Sequence, residues 1–158
     1  MRYFLVDKVT SLVVGKSARG LKCVTLSDEI LHDHFPDYPI LPGALIVEGM
    51  AQLSGFLLEM TLNREGEPVR RALLAQIRQA KFHEAVGPGD CLEIEAVLDS
   101  QLESAAQLSA TAQVGDRRVV RAVLDFVMKE IPEGRVHAQR RELYRLWTRH
   151  FDRPLTIL

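Results

Sequence analysis

Two residues in the segment HFPDYPILPGALIVEGMAQ, which begins at residue 34, are suited to moving protons: His34 and Glu48. A neutral imidazole can take a proton near neutral pH, and a carboxyl group kept protonated by apolar surroundings can give one. Glu48 stands among Leu45, Ile46, Val47, Met50 and Leu53, where an ionised side chain costs free energy unless it has a partner. At about 100° per residue, a helix here puts Gln52 about 40° and Glu59 about 20° from the direction of Glu48, three polar groups on one stripe. A buried hydrogen-bond network that only fixes the core would account for the stripe. An acid/base pair with His34 would use it.

The surrounding residues extend the second reading. A residue before proline is pushed away from helical backbone, so Phe35, Tyr38 and Leu41 favour extended conformations, and HFPDYPILP is expected to be a stiff rail that delivers His34. Pro42-Gly43 then opens the helix, whose free N–H groups and positive dipole end suit an oxyanion, with Gly43 permitting close approach. His32 and His34 form an HxH pair without a third ligand at characteristic spacing, so no metal is expected. Cys23 and Cys91 show no CxxC or Cys/His spacing and are expected to be small core residues in a reducing compartment. His83, His137 and His150 are expected to be ordinary surface or strand residues. Asp33, beside His34, could orient an imidazole but is expected to face solvent.

The elements that must position these groups follow from periodicity. The 158 residues fit one domain, and 47% hydrophobic and 26% charged residues with a formal net charge of −1 describe a soluble globular protein with no nucleic-acid partner. There is no secretory h-region, and Glu48 and Gln52 interrupt the longest apolar run, so a cytoplasmic protein without a membrane span is expected. Strands are expected over 3–14, 20–27, 72–84, 103–114 and 118–130. In LEIEAVLD, Leu92, Ile94, Ala96 and Leu98 alternate with polar positions as in a half-buried antiparallel strand. Residues 42–62 are apolar around nearly the whole circumference and predict a buried helix, which gives an α+β fold of a curved antiparallel sheet on one helix.

That domain covers residues 1–132. After Ile131-Pro132 the chain becomes basic, with six arginines against Glu133, Glu142 and Asp152. Leu143, Leu146, Trp147, His150 and Phe151 have helical spacing, so 133–158 is expected to be an extension whose amphipathic helix packs on the domain or on a neighbouring subunit. Arg141, Arg145 and Arg149 form a strip on another face, either a solvated surface or a docking site for an acidic partner.

HFPDYPILPGALIVEGMAQ resembles the HFPxxPxxPGxxxxExxAQ signature of the FabZ-type 3-hydroxyacyl-acyl-carrier-protein dehydratases, with every fixed position present. RYFLVDKV and AKFHEAVGPGD are similar to the family's opening strand and its later strand and turn, so the resemblance runs from about residue 3 to 130. It implies a hotdog fold, a lyase that dehydrates 3-hydroxyacyl thioesters on acyl carrier protein in fatty-acid or related polyene or polyketide-like synthesis, and no cofactor. It also implies a homodimer with shared active sites, extended in some members to a hexamer, in which His34 meets Glu48 of the other chain.

On the resemblance, His34 is the base, held by the carbonyl of Ile40. Glu48 is the acid, Gln52 lies beside it, and the Gly43 N–H binds the thioester oxygen. Phe35, Ile40, Leu41, Phe56, Ile77 and Phe82 are candidate walls of an acyl tunnel, with plain core packing as the alternative. Arg70, Arg71, Arg78 and Lys81 are candidates to dock the acidic carrier protein. Asp33 and Asp37 stand where the family usually has glycine, Arg78 stands where it has Asp, and His83 stands where it has Arg or Lys. Related dehydratase-isomerases have Asp at the position of Glu48, and hotdog thioesterases lack the proline-spaced segment; a non-catalytic acyl-binding subunit would dispense with His34 or Glu48.

Overall fold

The apolar segment forms a helix, α1, over Gly43–Leu62, with Pro42 at its N-cap. Met50, Leu53, Phe56, Leu57 and Leu58 are all 0% exposed along it, and burying each such side chain is worth about 1.5–3 kcal/mol. Helix α1 is long and apolar enough to cross a membrane, but 72% of its apolar window is buried inside the protein, so the same composition is used to fill a core. The computed structural model describes residues 3–158.

Six antiparallel strands wrap that helix: β1 (Lys8–Val13), β2 (Ser17–Cys23), β3 (Arg70–Phe82), β4 (Cys91–Gln101), β5 (Ala105–Val114) and β6 (Arg117–Glu130). Their order across the sheet is β1-β2-β4-β5-β6-β3. Leu92, Ile94 and Ala96 of β4, Leu108 and Ala110 of β5, and Ala122, Leu124 and Phe126 of β6 all turn inward, as strict alternation requires. Register shifts in β1, β3, β4 and β6 mark irregularities of the β-bulge kind, which increase twist and bend the sheet around α1. This is the hotdog arrangement, and a second helix, α2 (Gly134–Thr148), packs Tyr144, Trp147 and Thr148 against it.

Two sequence expectations about strands and cysteines need correction. The first strand begins at Lys8 rather than residue 3, because Tyr3–Leu5 is held by a helix side chain instead of a strand: Gln52 accepts from Leu5 N at 3.1 Å and donates to Tyr3 O at 3.1 Å. Gly49 makes room for this segment, since a Cβ there would stand 2.7 Å from Leu5 O. Cys23 is exposed and Cys91 half-buried rather than in the core. They are register partners on β2 and β4 with their Sγ atoms 2.9 Å apart, a cross-strand proximity that linear spacing does not show.

Strand β3 lies at the sheet edge and, among the described residues, pairs only with β6. Beyond Ala72 it leaves Leu73, Leu74 and Ile77 exposed at 38%, 38% and 48%, apolar side chains on a 13-residue edge that neither α1 nor the sheet covers.

Candidate active site

The segment that carries His34 is a tight turn followed by a lead into α1, not the extended rail expected from its prolines. Phe35 N donates to Tyr38 O and Tyr38 N to Phe35 O, both at 3.0 Å, and Asp37 has φ of 64°. A type II turn requires a left-handed residue at the third position and favours proline at the second, and Asp tolerates that backbone better than most residues with a side chain. The proline rule was sound for each residue alone; a hydrogen-bonded reversal still satisfies it. The His34–Phe35 peptide is cis.

The turn closes on the catalytic candidate. Ile40 N donates to His34 O at 2.9 Å, and Leu41 N donates to Val86 O at 2.7 Å, anchoring the segment to the loop before β4. The His34 Nδ1 lies 2.9 Å from Ile40 O. A carbonyl only accepts, so Nδ1 carries the hydrogen and the neutral ring presents its lone pair at Nε2. The ring stacks on Phe35 with centroids 4.3 Å apart, which restricts rotation further.

Glu48 sits on the second turn of α1 and is half-buried rather than enclosed by apolar side chains. Gln52 donates to its Oε1 at 3.0 Å, and the same amide ties down Tyr3 and Leu5, so the carboxyl group is aimed by a fully committed neighbour. Glu48 and Gln52 open onto a cavity of about 650 Å³, lined also by Tyr3, Phe4 and six residues of α2. His34 is not among the residues lining it. The Gly43 N–H is one of the first four of α1 and has no partner within the helix. Gly43 leaves room for the Phe82 ring, which a Cβ there, 2.6 Å away, would push aside.

The remaining candidates separate into groups. Phe35, Ile77 and Phe82 are 50%, 48% and 53% exposed in the protomer, surfaces without cover. Leu41 is buried in the core. Phe56 is packed edge-on against Tyr144 at 4.9 Å and Trp147 at 6.1 Å, so it is a core residue under α2 and not a tunnel wall. Arg70 donates to Glu103 O at 2.8 Å and Arg78 pairs with Asp125 at 2.6 Å. The neighbouring Gln107 and Arg78 hold the Asp125 carboxyl below its usual range. Lys81 is exposed.

Arg71 corrects the expectation of a carrier-docking cation: it is 1% exposed. Its Nη1 donates to Glu59 Oε2 at 2.7 Å, its Nε to His137 Nδ1 at 3.0 Å, and its Nη2 to Leu158 O at 3.0 Å. Tyr144 OH and Ala72 N also donate to Glu59, at 2.9 and 3.1 Å. Glu59 therefore shares a helix stripe with Glu48 but belongs to a different device, an ion pair that pins α2 and β3 to α1. His137, expected to be an ordinary surface residue, completes it by donating Nε2–H to Ile131 O at 2.7 Å. The sequence offered a signal, the polar stripe, but not its two separate destinations.

Among the described residues no group of three or more His, Cys, Asp or Glu is arranged to hold a metal ion. Comparison with known proteins finds a FabA-like domain over residues 1–123. Curated relatives include the 3-hydroxyacyl-[acyl-carrier-protein] dehydratase FabZ of Clostridioides difficile, 36% identical over 128 residues covering 81% of this chain and 88% of that protein. The protein of the same name from Bacillus licheniformis is 38% identical over 131 residues, covering 83% and 89%. Among solved structures, the dehydratase heterocomplex ApeI:P of Xenorhabdus doucetiae superposes with a TM-score of 0.65 at 19% identity, over 87% of this chain and 89% of that one. The smu.793 protein of Streptococcus mutans bound to acetyl CoA gives 0.62 at 16% identity, over 80% and 90%. At these identities the structural matches show the fold.

Proposed function

The chain belongs to the FabA-like family, alongside the FabZ dehydratases, and from that premise we propose that it removes water from 3-hydroxyacyl thioesters on acyl carrier protein, in fatty-acid or related synthesis, with His34 as base and Glu48 as acid. The observation that carries the residue assignment is the Ile40 carbonyl 2.9 Å from His34 Nδ1, which leaves Nε2 as the basic atom. His34 Nε2 takes a proton from the carbon next to the thioester carbonyl. The Gly43 N–H, at the positive end of α1, stabilises the charge that reaches the thioester oxygen. The electron pair then forms the new carbon–carbon double bond as the bond to the 3-hydroxyl breaks. Glu48 gives that hydroxyl its proton, and water leaves. A proton passed from the His34 imidazolium to Glu48 restores the starting state.

The same reading makes the enzyme a homodimer. Leu73, Leu74 and Ile77 on edge strand β3 invite pairing with a copy of the same strand, because an uncovered apolar edge otherwise aggregates. In this reading His34 of one protomer works with Glu48 of its partner, and the support is that the Glu48 cavity is not lined by His34 of the same protomer. Assembly of such dimers into a hexamer and a cytoplasmic location belong to this reading. Lys81, exposed and without an ion pair to a described residue, is the docking candidate left to the carrier protein once Arg70, Arg71 and Arg78 have internal partners.

The test is conversion of a 3-hydroxyacyl thioester to the conjugated enoyl thioester, followed by ultraviolet absorbance. His34→Ala and Glu48→Gln should each lower the rate by about 10²–10⁴ while light scattering still reports the dimer. Full activity in both variants would overturn the assignment, and release of free thiol in place of the double bond would indicate a thioesterase.

A further inference from the structure

Gln52 lies one helical turn beyond Glu48 on α1 and uses both hydrogens and the oxygen of its amide. Its Nε2 donates to Tyr3 O at 3.1 Å and to Glu48 Oε1 at 3.0 Å, and its Oε1 accepts from Leu5 N at 3.1 Å. The two backbone partners admit one arrangement: a carbonyl oxygen only accepts and a peptide N–H only donates, so together they fix which end of the amide faces Glu48. Turning the amide over would set its oxygen against the Tyr3 carbonyl and its NH2 against the Leu5 N–H. Both backbone groups would lose their partner, which is unfavourable.

An N–H pointed at Glu48 Oε1 makes that oxygen an acceptor. A carboxylic acid carries one proton, so when Glu48 is the acid its proton is on Oε2, which makes no hydrogen bond to a described residue. We propose that the backbone of Tyr3 and Leu5, acting through Gln52 as a positioning residue, keeps the proton of Glu48 on Oε2 for the departing hydroxyl. This rests on the dehydratase reading above. A reversed amide would present its oxygen to Glu48, which would then give its proton to Gln52 and not to the substrate. Gly49 belongs to the same device: it lets the segment approach α1, since a Cβ there would stand 2.7 Å from Leu5 O. A stretch of backbone 47 residues from Gln52 in sequence therefore decides where the acid holds its proton.

The experiment follows elimination from two thioesters that give the same product, 3-hydroxybutanoyl and 3-chlorobutanoyl N-acetylcysteamine, by the absorbance of the conjugated butenoyl thioester. In both, His34 takes the proton next to the carbonyl and the electron pair forms the double bond. The hydroxyl leaves as water and needs the proton of Glu48, whereas chloride leaves with the electrons of its own bond and needs none. Gln52→Met should lower kcat for the hydroxy substrate by about 10²-fold, the low end of what a positioned acid contributes, with its KM and the chloro rate little changed. Gly49→Ala, which keeps Gln52 but displaces Leu5, should show the same selective loss, and it carries the test if Gln52→Met fails to fold. Equal slowing of both substrates, a loss confined to KM, or an unchanged hydroxy rate would overturn this inference and leave the dehydratase reading standing. No conversion of either thioester by the unsubstituted protein would overturn both.

Discussion

Replacing Arg71 with Leu should destabilise the protein severely although the residue touches no proposed catalytic group. Arg71 and Glu59 are each 2% exposed in their side chains and 2.7 Å apart. Removing one partner of a buried pair leaves the other charge uncompensated, at a cost of about 3–5 kcal/mol. Glu59 would keep Tyr144 OH and Ala72 N, which places the effect toward the lower end; the lost bonds to His137 and Leu158 push it back up. For a chain of this size, about 2–4 °C per kcal/mol converts this to a fall in Tm of roughly 6–20 °C. Urea unfolding gives the free energy directly, compared at equal protomer concentration because dimerisation adds to apparent stability. The double variant Arg71→Leu with Glu59→Leu should lose less than the two single costs added together, since two apolar side chains leave no stranded charge. Hydrogen exchange in the single variant should rise in α2 ahead of the central strands, because the network is what joins α2 to α1. A single-variant cost below about 1 kcal/mol, the level of an exposed pair, or strict additivity in the double variant, would refute the reasoning.

Burial, and then the adjacent Glu59 charge, hold the Tyr144 phenol well above its ordinary value. Its unfolded counterpart ionises near pH 10, so the contribution to stability is complete below that pH and is lost above it as the unfolded state releases the proton first. Unfolding free energy should drop by up to about 1.4 kcal/mol per pH unit there; Tyr144→Phe should flatten this alkaline slope in a pH series of urea melts, and an unchanged slope would contradict the placement. Cys23 and Cys91 should form a disulfide with oxidised glutathione. Val24 N donates to Asp90 O, which makes Cys23 and Cys91 a non-hydrogen-bonded cross-strand pair, with Cα atoms expected about 4.5 Å apart and so within disulfide range. One thiolate attacks glutathione disulfide, the other displaces the bound glutathione, and two glutathione thiols are released. Burial and then the Cys23 contact push the Cys91 thiol up to about 11, so the reaction should quicken as pH rises toward that value. Loss of two protein thiols and two hydrogens from the intact mass is the expected result, and two thiols that remain free would rule it out.

The sequence by itself determined the elements whose signals are local. A helix apolar all around must be wrapped, so Gly43–Leu62 demanded a sheet, and the alternation in β4 to β6 supplied one. The chemistry of the His34 to Gln52 segment was legible because the residue types, the proline rule and one specific spacing all lie within a few turns of chain. Only the tertiary structure decided which polar groups meet. Glu48 and Glu59 point along the same helix stripe, yet one opens to a cavity and the other binds Arg71, since the partners of Glu59 come from residues 12 to 85 positions away that no local period registers. Cys23 and Cys91 became neighbours through strand register, and α2 came to wall the Glu48 cavity through the packing of Tyr144 and Trp147. Local propensity fixes what each segment can be; pairing across long sequence separations fixes what each side chain touches, and in this protein that second level decides the shape of the site.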